Sequence, residues 1–187
     1  MSKNKILIVD DEAPIREVLQ ASLQDEGHQI VLANNGDSAL VAIRDHQPEI
    51  VFLDIWMPGN IDGMEVLKRA KSQYPHIEFV MMSGHGTIET AVKATKLGAW
   101  DFIEKPLSMD KISITISNIY HFQQERQEKN ALLNKLRKNI AIIGESPQVV
   151  NLKQMISRIA PTQSWALITG ENGTGKELVA QNIHYLS

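Results

Sequence analysis

Four short apolar runs in the first part of the chain each end on a polar side chain that can take part in chemistry. The first run ends at Asp10 and Asp11, the second at Asp54, the third at Ser83 and the fourth at Lys105. A carboxylate at the end of a buried segment is costly unless something there uses it. These residues together offer three carboxylates, a hydroxyl and an ammonium group.

Clustered carboxylates repel one another, and this repulsion favours the binding of a cation. Mg²⁺ suits a site that offers a few carboxylates plus water. A metal ion beside Asp54 would also neutralise an incoming phosphoryl group, and carboxylates can act as nucleophiles that form aspartyl-phosphate. Lys105 would supply a point charge for one phosphate oxygen, and Ser83 would supply a hydrogen bond to another. The pattern therefore predicts Mg²⁺-dependent phosphoryl chemistry at Asp54.

A glycine-rich segment near the C-terminal end supplies a second candidate site. Its backbone N–H groups would cradle phosphates, and its lysine would reach the β- and γ-phosphates, as in a P-loop. The strict P-loop pattern has Ser or Thr after the lysine, whereas this chain has Glu. A glycine-rich turn without a ligand is the alternative interpretation. The candidate nucleotide-binding residues are Gly170, Glu171, Asn172, Gly173, Thr174, Gly175, Lys176 and Glu177.

Strand and helix patterns alternate along residues 1–121. Short apolar runs predict strands at residues 6–9, 30–33, 50–53, 78–82 and 100–104. Helical spacing separates them, with Pro14 at the start of the first helix and Asp37 as the cap of the second. This alternation predicts an α/β fold, a five-stranded parallel doubly wound sheet of flavodoxin-like order 2-1-3-4-5, which binds ligands between strands one and three. Asp10, Asp11 and Asp54 are expected to meet at that point.

The composition changes after residue 121. Residues 122–138 contain no Gly or Pro and predict an exposed helical linker. Its leucines at 132, 133 and 136 leave open a dimeric coiled coil. Residues 139–187 predict a partial P-loop α/β segment, with Ser146 capping a helix over residues 149–159 and a strand at residues 165–169. We therefore expect three parts, with bounds 1–121, 122–138 and 139–187.

The overall composition argues against several classes of function. The net charge of −3 argues against a generally nucleic-acid-binding surface. The chain has no cysteine, so it has no disulfides and no thiolate metal site, which suits a reducing cytosol. The N-terminal apolar run is too short for a signal peptide or a membrane span. We therefore expect a cytoplasmic chain that binds neither DNA nor a membrane.

The segments around the four strand ends resemble the receiver domain of bacterial two-component response regulators. The matching segments are residues 8–12, 53–59, 82–86 and 98–106. The resemblance implies that Asp54 accepts a phosphoryl group from a sensor histidine kinase, and that the receiver catalyses its own phosphorylation and dephosphorylation. It also implies that Asp11, Asp54 and the Trp56 carbonyl hold Mg²⁺, with Asp10 helping through water.

The same resemblance implies a conformational switch. Ser83 and Phe102 take the positions of the family's switch hydroxyl and switch aromatic residue. The bond between Lys105 and Pro106 takes the position of the family's cis peptide bond. Phosphorylation would shift a two-state equilibrium on the face formed by the fourth helix, fifth strand and fifth helix, which would change dimerisation or release the next domain. The loop at residues 59–63 is one residue longer than the usual form.

Residues 143–187 resemble the start of the AAA+ ATPase domain of sigma-54-dependent activators, in which Glu after the P-loop lysine is normal. Asn172 stands where Ser is commoner in that family. The two resemblances cover the whole chain and describe an NtrC-type regulator. They imply ATP at the P-loop, and sigma-54 RNA polymerase as a partner of a longer protein. The rest of an ATPase site is missing from these residues, so we expect a fragment that does not hydrolyse ATP.

Two other functions remain open from the residues alone. One is a P-loop enzyme that binds and hydrolyses NTP, with the C-terminal segment as its main site. The other is a metal-dependent phosphatase with Asp54 as its nucleophile, although Trp56 stands where such enzymes usually have an acid. Phosphotransfer from a small donor such as acetyl phosphate would distinguish a receiver from both.

Overall fold

The computed structural model describes residues 4–84, 87–139, 142–162 and 164–187; the side chains of residues 133–139 and 185 lie outside this description. The chain forms two compact units, Met1–His121 and Phe122–Ser187. The coiled-coil alternative for the linker depends on side chains at positions 133 and 136, which fall outside the described part.

The first unit contains a five-stranded sheet in the order β2-β1-β3-β4-β5, and all neighbouring strands are parallel. Its strands are β1 (Lys5–Val9), β2 (Gln29–Ala33), β3 (Ile50–Asp54), β4 (Glu78–Ser83) and β5 (Asp101–Glu104). The helices that follow them are α1 (Ala13–Asp25), α2 (Gly36–His46), α3 (Gly63–Gln73), α4 (Ile88–Lys96) and α5 (Met109–Asn139). The predicted fold and strand order are therefore confirmed.

Apolar side chains cover both faces of the sheet, which explains why the strands are continuous apolar runs. In β1, Leu7 and Val9 join one buried cluster with residues of α2, α3 and α4. Ile6 and Ile8 point to the opposite face and join a second cluster with residues of α1 and α5. Full burial of one such side chain contributes about 1.5–3 kcal/mol, so the two clusters hold the strand ends in a fixed arrangement.

The cap of α2 differs from the prediction. Asn35, not Asp37, is the N-cap: its side-chain oxygen accepts a hydrogen bond from the Ser38 backbone N–H at 2.8 Å. The Ser38 hydroxyl in turn accepts from the Asn35 N–H at 3.2 Å, which completes a capping box. Asp37 lies inside the first turn. The prediction was wrong because the extended backbone that an N-cap needs occurs at Asn35.

The second unit is helical where it is regular, with α6 (Pro147–Ile159) and α7 (Lys176–Leu186). Ser146 caps α6, as predicted, by accepting a hydrogen bond from the Val149 N–H. The predicted strand at residues 165–169 is wrong, since these residues have no regular secondary structure and Trp165 and Leu167 are exposed. A strand requires a hydrogen-bonded neighbour, and residues 142–162 and 164–187 contain no strand to pair with. None of the helices described is both long and apolar enough to cross a membrane.

Candidate functional site

The carboxyl ends of the strands bring the predicted acidic residues together. Asp10 follows β1 and Asp54 ends β3, its direct neighbour in the sheet. Asp10, Asp11 and Asp54 each offer a carboxylate oxygen, and these three oxygens lie within 4.8 Å of one another. The site therefore lies at the switch point that the strand order creates.

Both carboxylate oxygens of Asp54 accept hydrogen bonds. It is only 4% exposed, its Oδ1 accepts a hydrogen bond from the Trp56 N–H at 3.3 Å, and its Oδ2 accepts one from Lys105 Nζ at 2.8 Å. A Cβ at Gly63 would overlap the Asp54 carbonyl oxygen. The first residue of α3 must therefore be glycine for the helix to approach the end of β3 this closely.

The ammonium group of Lys105 lies among three carboxylates. Its distance to a carboxylate oxygen is 2.8 Å for Asp54, 2.9 Å for Asp10 and 3.4 Å for Glu12. Burial opposes the charge of this lysine, but the hydrogen bond to Asp54 and the ion pair with Asp10 outweigh that effect and raise its pKa. Lys105 is therefore a fixed positive charge at neutral pH. The peptide bond that follows it, to Pro106, is cis, as the receiver resemblance implies.

Asp10 is completely buried, and burial raises the pKa of its carboxyl group above the ordinary value of 3.8 although Lys105 acts in the opposite direction. Its Oδ1 accepts a hydrogen bond from the Glu12 N–H at 3.0 Å. Its Oδ2 is 2.9 Å from Lys105 Nζ, which is an ion-pair distance, yet by angle this oxygen lacks a hydrogen-bond partner among the described residues. Three carboxylates this close together offer the hard oxygen ligands that suit a divalent cation.

The site opens to solvent through a cleft of about 520 Å³. Trp56 forms part of its wall and is 61% exposed. The residues that line the cleft are Asp11, Glu12, Asp54, Trp56, Gly84 and Lys105. A molecule in solution that carries a phosphoryl group can therefore reach Asp54 through the cleft.

The two predicted switch residues occupy different surroundings. Ser83 ends β4 and is completely buried, and its carbonyl accepts a hydrogen bond from the Lys105 N–H at 2.8 Å. Phe102 lies two residues before the end of β5, is partly buried against the first apolar cluster and does not line the cleft. Residues 85 and 86, which belong to one segment of the receiver resemblance, lie outside the described residues.

The sequence did not assign roles to two residues that the structure places at the site. Glu12 contacts Lys105, and its position directly after Asp10 and Asp11 could have indicated this. Arg16 Nη1 donates a hydrogen bond to the Asp10 carbonyl oxygen at 2.6 Å. No spacing rule marks Arg16, because the contact joins a helix to the end of a strand across a turn.

The glycine-rich segment forms a loop around its own lysine. Lys176 Nζ donates hydrogen bonds to the carbonyl oxygens of Gly170 at 2.8 Å and Glu171 at 2.7 Å. Gly173 and Gly175 have φ of +81° and +86°, backbone conformations that residues with a side chain rarely adopt. α7 begins at Lys176, so the loop leads into a helix N-terminus, the arrangement in which P-loops bind phosphate.

Comparison with known proteins agrees with both resemblances. The model of the response regulator receiver domain matches residues 6–117, and that of the sigma-54 interaction domain matches residues 142–187. The nitrogen assimilation regulatory protein NtrX of Azorhizobium caulinodans is 41% identical over 97% of this chain. The chain spans only 40% of the length of that relative.

Two crystal structures from Brucella abortus extend the comparison. The receiver domain of NtrX is 49% identical, with a TM-score of 0.58, and the match covers 61% of this chain and 96% of that one. NtrX in complex with ATP is 43% identical, with a TM-score of 0.67, and the match covers 99% of this chain and 41% of that one. The fold and the strand-end site thus define a two-component receiver. The chain belongs to the response regulators of the NtrC/NtrX type, with a receiver domain and the start of a sigma-54 interaction domain.

Proposed function

We propose that Asp54 accepts a phosphoryl group from a sensor histidine kinase. The supporting observation is the position of its carboxylate, which lines an open cleft, contacts Lys105 and lies close to two further carboxylates. Asp10 is completely buried. Asp11 is exposed and has no ion-pair contact with a lysine among the residues described. Asp54 is therefore the carboxylate best placed to act as the nucleophile.

In the proposed transfer, a carboxylate oxygen of Asp54 attacks phosphorus and the P–N bond of the phosphohistidine breaks. The electron pair of that bond returns to the imidazole, which takes up a proton from water. Lys105 moves from Asp54 Oδ2 to a phosphoryl oxygen, and the Ser83 hydroxyl donates a hydrogen bond to another. Water reverses the modification by attack on the acyl phosphate.

Asp11, Asp54 and the Trp56 carbonyl would hold Mg²⁺, with Asp10 contributing through water. The bound ion would supply positive charge that offsets the carboxylates and the phosphoryl oxygens. Its fit rests on the hard carboxylate oxygens of Asp10, Asp11 and Asp54, which lie within 4.8 Å of one another. The chain itself provides the nucleophile (Asp54), the fixed positive charge (Lys105) and the hydrogen-bond donor (Ser83).

The output we propose is a change on the face formed by α4, β5 and α5, driven by Ser83 moving toward the phosphoryl group and Phe102 repacking. Ile88 and Val92 on α4 are exposed apolar side chains, which suits a surface that changes partners, a second copy of the chain included. The longer protein would regulate sigma-54-dependent transcription in the cytoplasm. The names of the matched family and relatives support this role.

We also propose that residues 170–177 bind the phosphates of ATP. The loop carbonyls that hold Lys176 would release it to the β- and γ-phosphates. The NtrX structure from Brucella abortus that contains ATP supports this assignment. We divide the chain into a receiver at residues 1–121, a helical linker at 122–138 and the start of an ATPase domain at 139–187.

The test of phosphoryl acceptance is intact mass after incubation with acetyl phosphate and Mg²⁺. The parent chain should gain one phosphoryl group, and Asp54→Asn should gain none. Asp37→Asn, at an exposed position on α2, is the matched control and should be labelled like the parent. Labelling of Asp54→Asn to the same extent as the parent would show that the phosphoacceptor is another residue.

A further inference from the structure

Arg16 joins the first turn of α1 to the end of β1. Its Nη1 donates a 2.6 Å hydrogen bond to the backbone carbonyl of Asp10. Among the described residues, its guanidinium forms no ion pair with any carboxylate. The contact with the Asp10 carbonyl oxygen is therefore what holds this side chain in place.

The turn that Arg16 crosses contains Asp11 and Glu12. β1 ends at Val9, and Glu12 is the N-cap of α1 but makes no side-chain capping hydrogen bond. Within the described residues, the turn is tied to Asp10 by a hydrogen bond from the Glu12 N–H to Asp10 Oδ1 and by one from Arg16 to the Asp10 carbonyl. Both contacts end on Asp10, which is itself buried.

Asp11 lies between these two contacts and is exposed. No hydrogen bond or ion pair involves its carboxylate within the described part of the chain, yet this group lies within 4.8 Å of the carboxylates of Asp10 and Asp54. The backbone of the turn therefore sets the position of the Asp11 Cβ, and with it the region that the carboxylate can reach. A change in that backbone would move a metal ligand without touching the ligand itself.

We propose that Arg16 is a positioning residue that holds Asp11 in the arrangement needed for Mg²⁺ binding. This inference rests on the proposed function, because it assumes that the acidic cluster takes a divalent cation. Loss of an outer partner of this kind typically weakens metal binding by about 10–100-fold. The charge of Arg16 has the opposite effect, since a cation near the cluster repels Mg²⁺. The direction of the change in affinity therefore separates positioning from simple charge.

The experiment is a calorimetric Mg²⁺ titration of the 187-residue chain and three variants. Arg16→Met keeps the length of the side chain but has no donor, and it should bind Mg²⁺ at least about 10-fold more weakly than the parent. Arg16→Lys keeps the positive charge and an N–H donor for the Asp10 carbonyl, so it should bind Mg²⁺ more tightly than Arg16→Met. Arg69→Met is the matched control, because Arg69 pairs with Glu65 on the surface of α3, and it should bind like the parent.

A second readout separates binding from chemistry. Labelling of Arg16→Met by acetyl phosphate should be slow at low Mg²⁺ and should reach the parent rate when Mg²⁺ is saturating. Equal or tighter Mg²⁺ binding by Arg16→Met would overturn the proposal, as would Arg16→Lys binding as weakly as Arg16→Met. If circular dichroism shows that Arg16→Met does not fold, Arg16→Leu, which also lacks a donor, takes its place under the same criteria.

The outcome also distinguishes this inference from the proposed function. If the parent is labelled at Asp54 but its Mg²⁺ affinity does not depend on Arg16, only the positioning role fails. If Arg16→Met binds Mg²⁺ weakly but acetyl phosphate labels neither the parent nor any variant, the phosphoacceptor role fails while the positioning role stands.

Discussion

Replacing Lys105 by methionine should destabilise the metal-free protein by about 3 kcal/mol. The substitution keeps most of the side-chain volume and removes the charge. Lys105 Nζ is 2.8 Å from Asp54 Oδ2 and 2.9 Å from Asp10 Oδ2, and the lysine side chain is 12% exposed. Without the ammonium group, two buried carboxylates stand beside each other with no compensating cation.

The magnitude follows from two opposing contributions. At an effective dielectric constant of about 20, two unit charges 2.8 Å apart attract by about 6 kcal/mol. Removal of the lysine also removes the cost of burying it, and that cost offsets a large part of the attraction. Breaking a buried pair by deleting one partner costs about 3–5 kcal/mol, and the lower end applies because the cleft admits water.

The assay is urea denaturation at neutral pH in EDTA, repeated in excess Mg²⁺. Mg²⁺ should restore more stability to Lys105→Met than it gives the parent, because the ammonium group no longer competes for Asp54. A ligand present at about 100 times its Kd stabilises by about 2.7 kcal/mol, which sets the scale of the recovery. Lys68→Met, at an exposed position on α3, is the control and should change stability little.

The loss should also depend on pH. Burial raises the pKa of Asp10 above 3.8, so its carboxyl group takes up a proton in the folded state before it does so in the unfolded chain. The repulsion in Lys105→Met then falls, and its deficit relative to the parent should narrow as the solution is acidified. Equal stability of Lys105→Met and the parent in EDTA at neutral pH would refute the reasoning, because it would show that these carboxylates do not need the cation.

Other parts of the chain lead to three further predictions. Gln47→Gly should stabilise the fold by roughly 0.5 kcal/mol in urea denaturation, because Gln47 ends α2 with φ of +48°, which glycine adopts without strain. Burial lowers the pKa of His28 below 6.5, although the negative charge of Glu26 acts in the opposite direction. The unfolded chain therefore binds more protons than the folded chain below pH 6.5, so the free energy of unfolding decreases as the pH falls. His28→Asn should reduce that loss in melting temperatures compared at about pH 7.5 and about pH 5.5. The 187-residue chain should show no steady ATP hydrolysis in a phosphate-release assay, since the acidic cluster found among the described residues lies at the strand ends and not at the P-loop; turnover that Lys176→Ala abolishes would contradict this.

Much of the receiver fold could be predicted from the sequence because its strands are buried on both faces. Continuous apolar runs such as residues 50–53 predict such strands, and their alternation with helical spacing predicts the parallel order that the structure shows. The same patterns placed Asp10, Asp54 and Lys105 at strand ends. These features depend on local sequence, so no knowledge of distant contacts was needed to predict them.

Prediction was less successful where a local preference had more than one solution. Asn35 and Asp37 can both cap a helix, and Asn35 is the N-cap because its backbone is extended and its side chain reaches the Ser38 N–H. Residues 165–169 have the composition of a strand, but a strand also needs a partner, and the described part of the second unit has none. Composition therefore predicted a strand correctly only where the structure describes a neighbouring strand.

The sequence by itself determined which side chains stand at the ends of the strands and hence the kind of chemistry the site can perform. Only the tertiary structure decided how they meet: Lys105 contacts Glu12 across 93 positions and Asp54 across 51, and Arg16 reaches the Asp10 carbonyl across a turn. The physical reason is that hydrophobic periodicity specifies which face of an element is buried, whereas distances between side chains depend on how complete elements pack against one another.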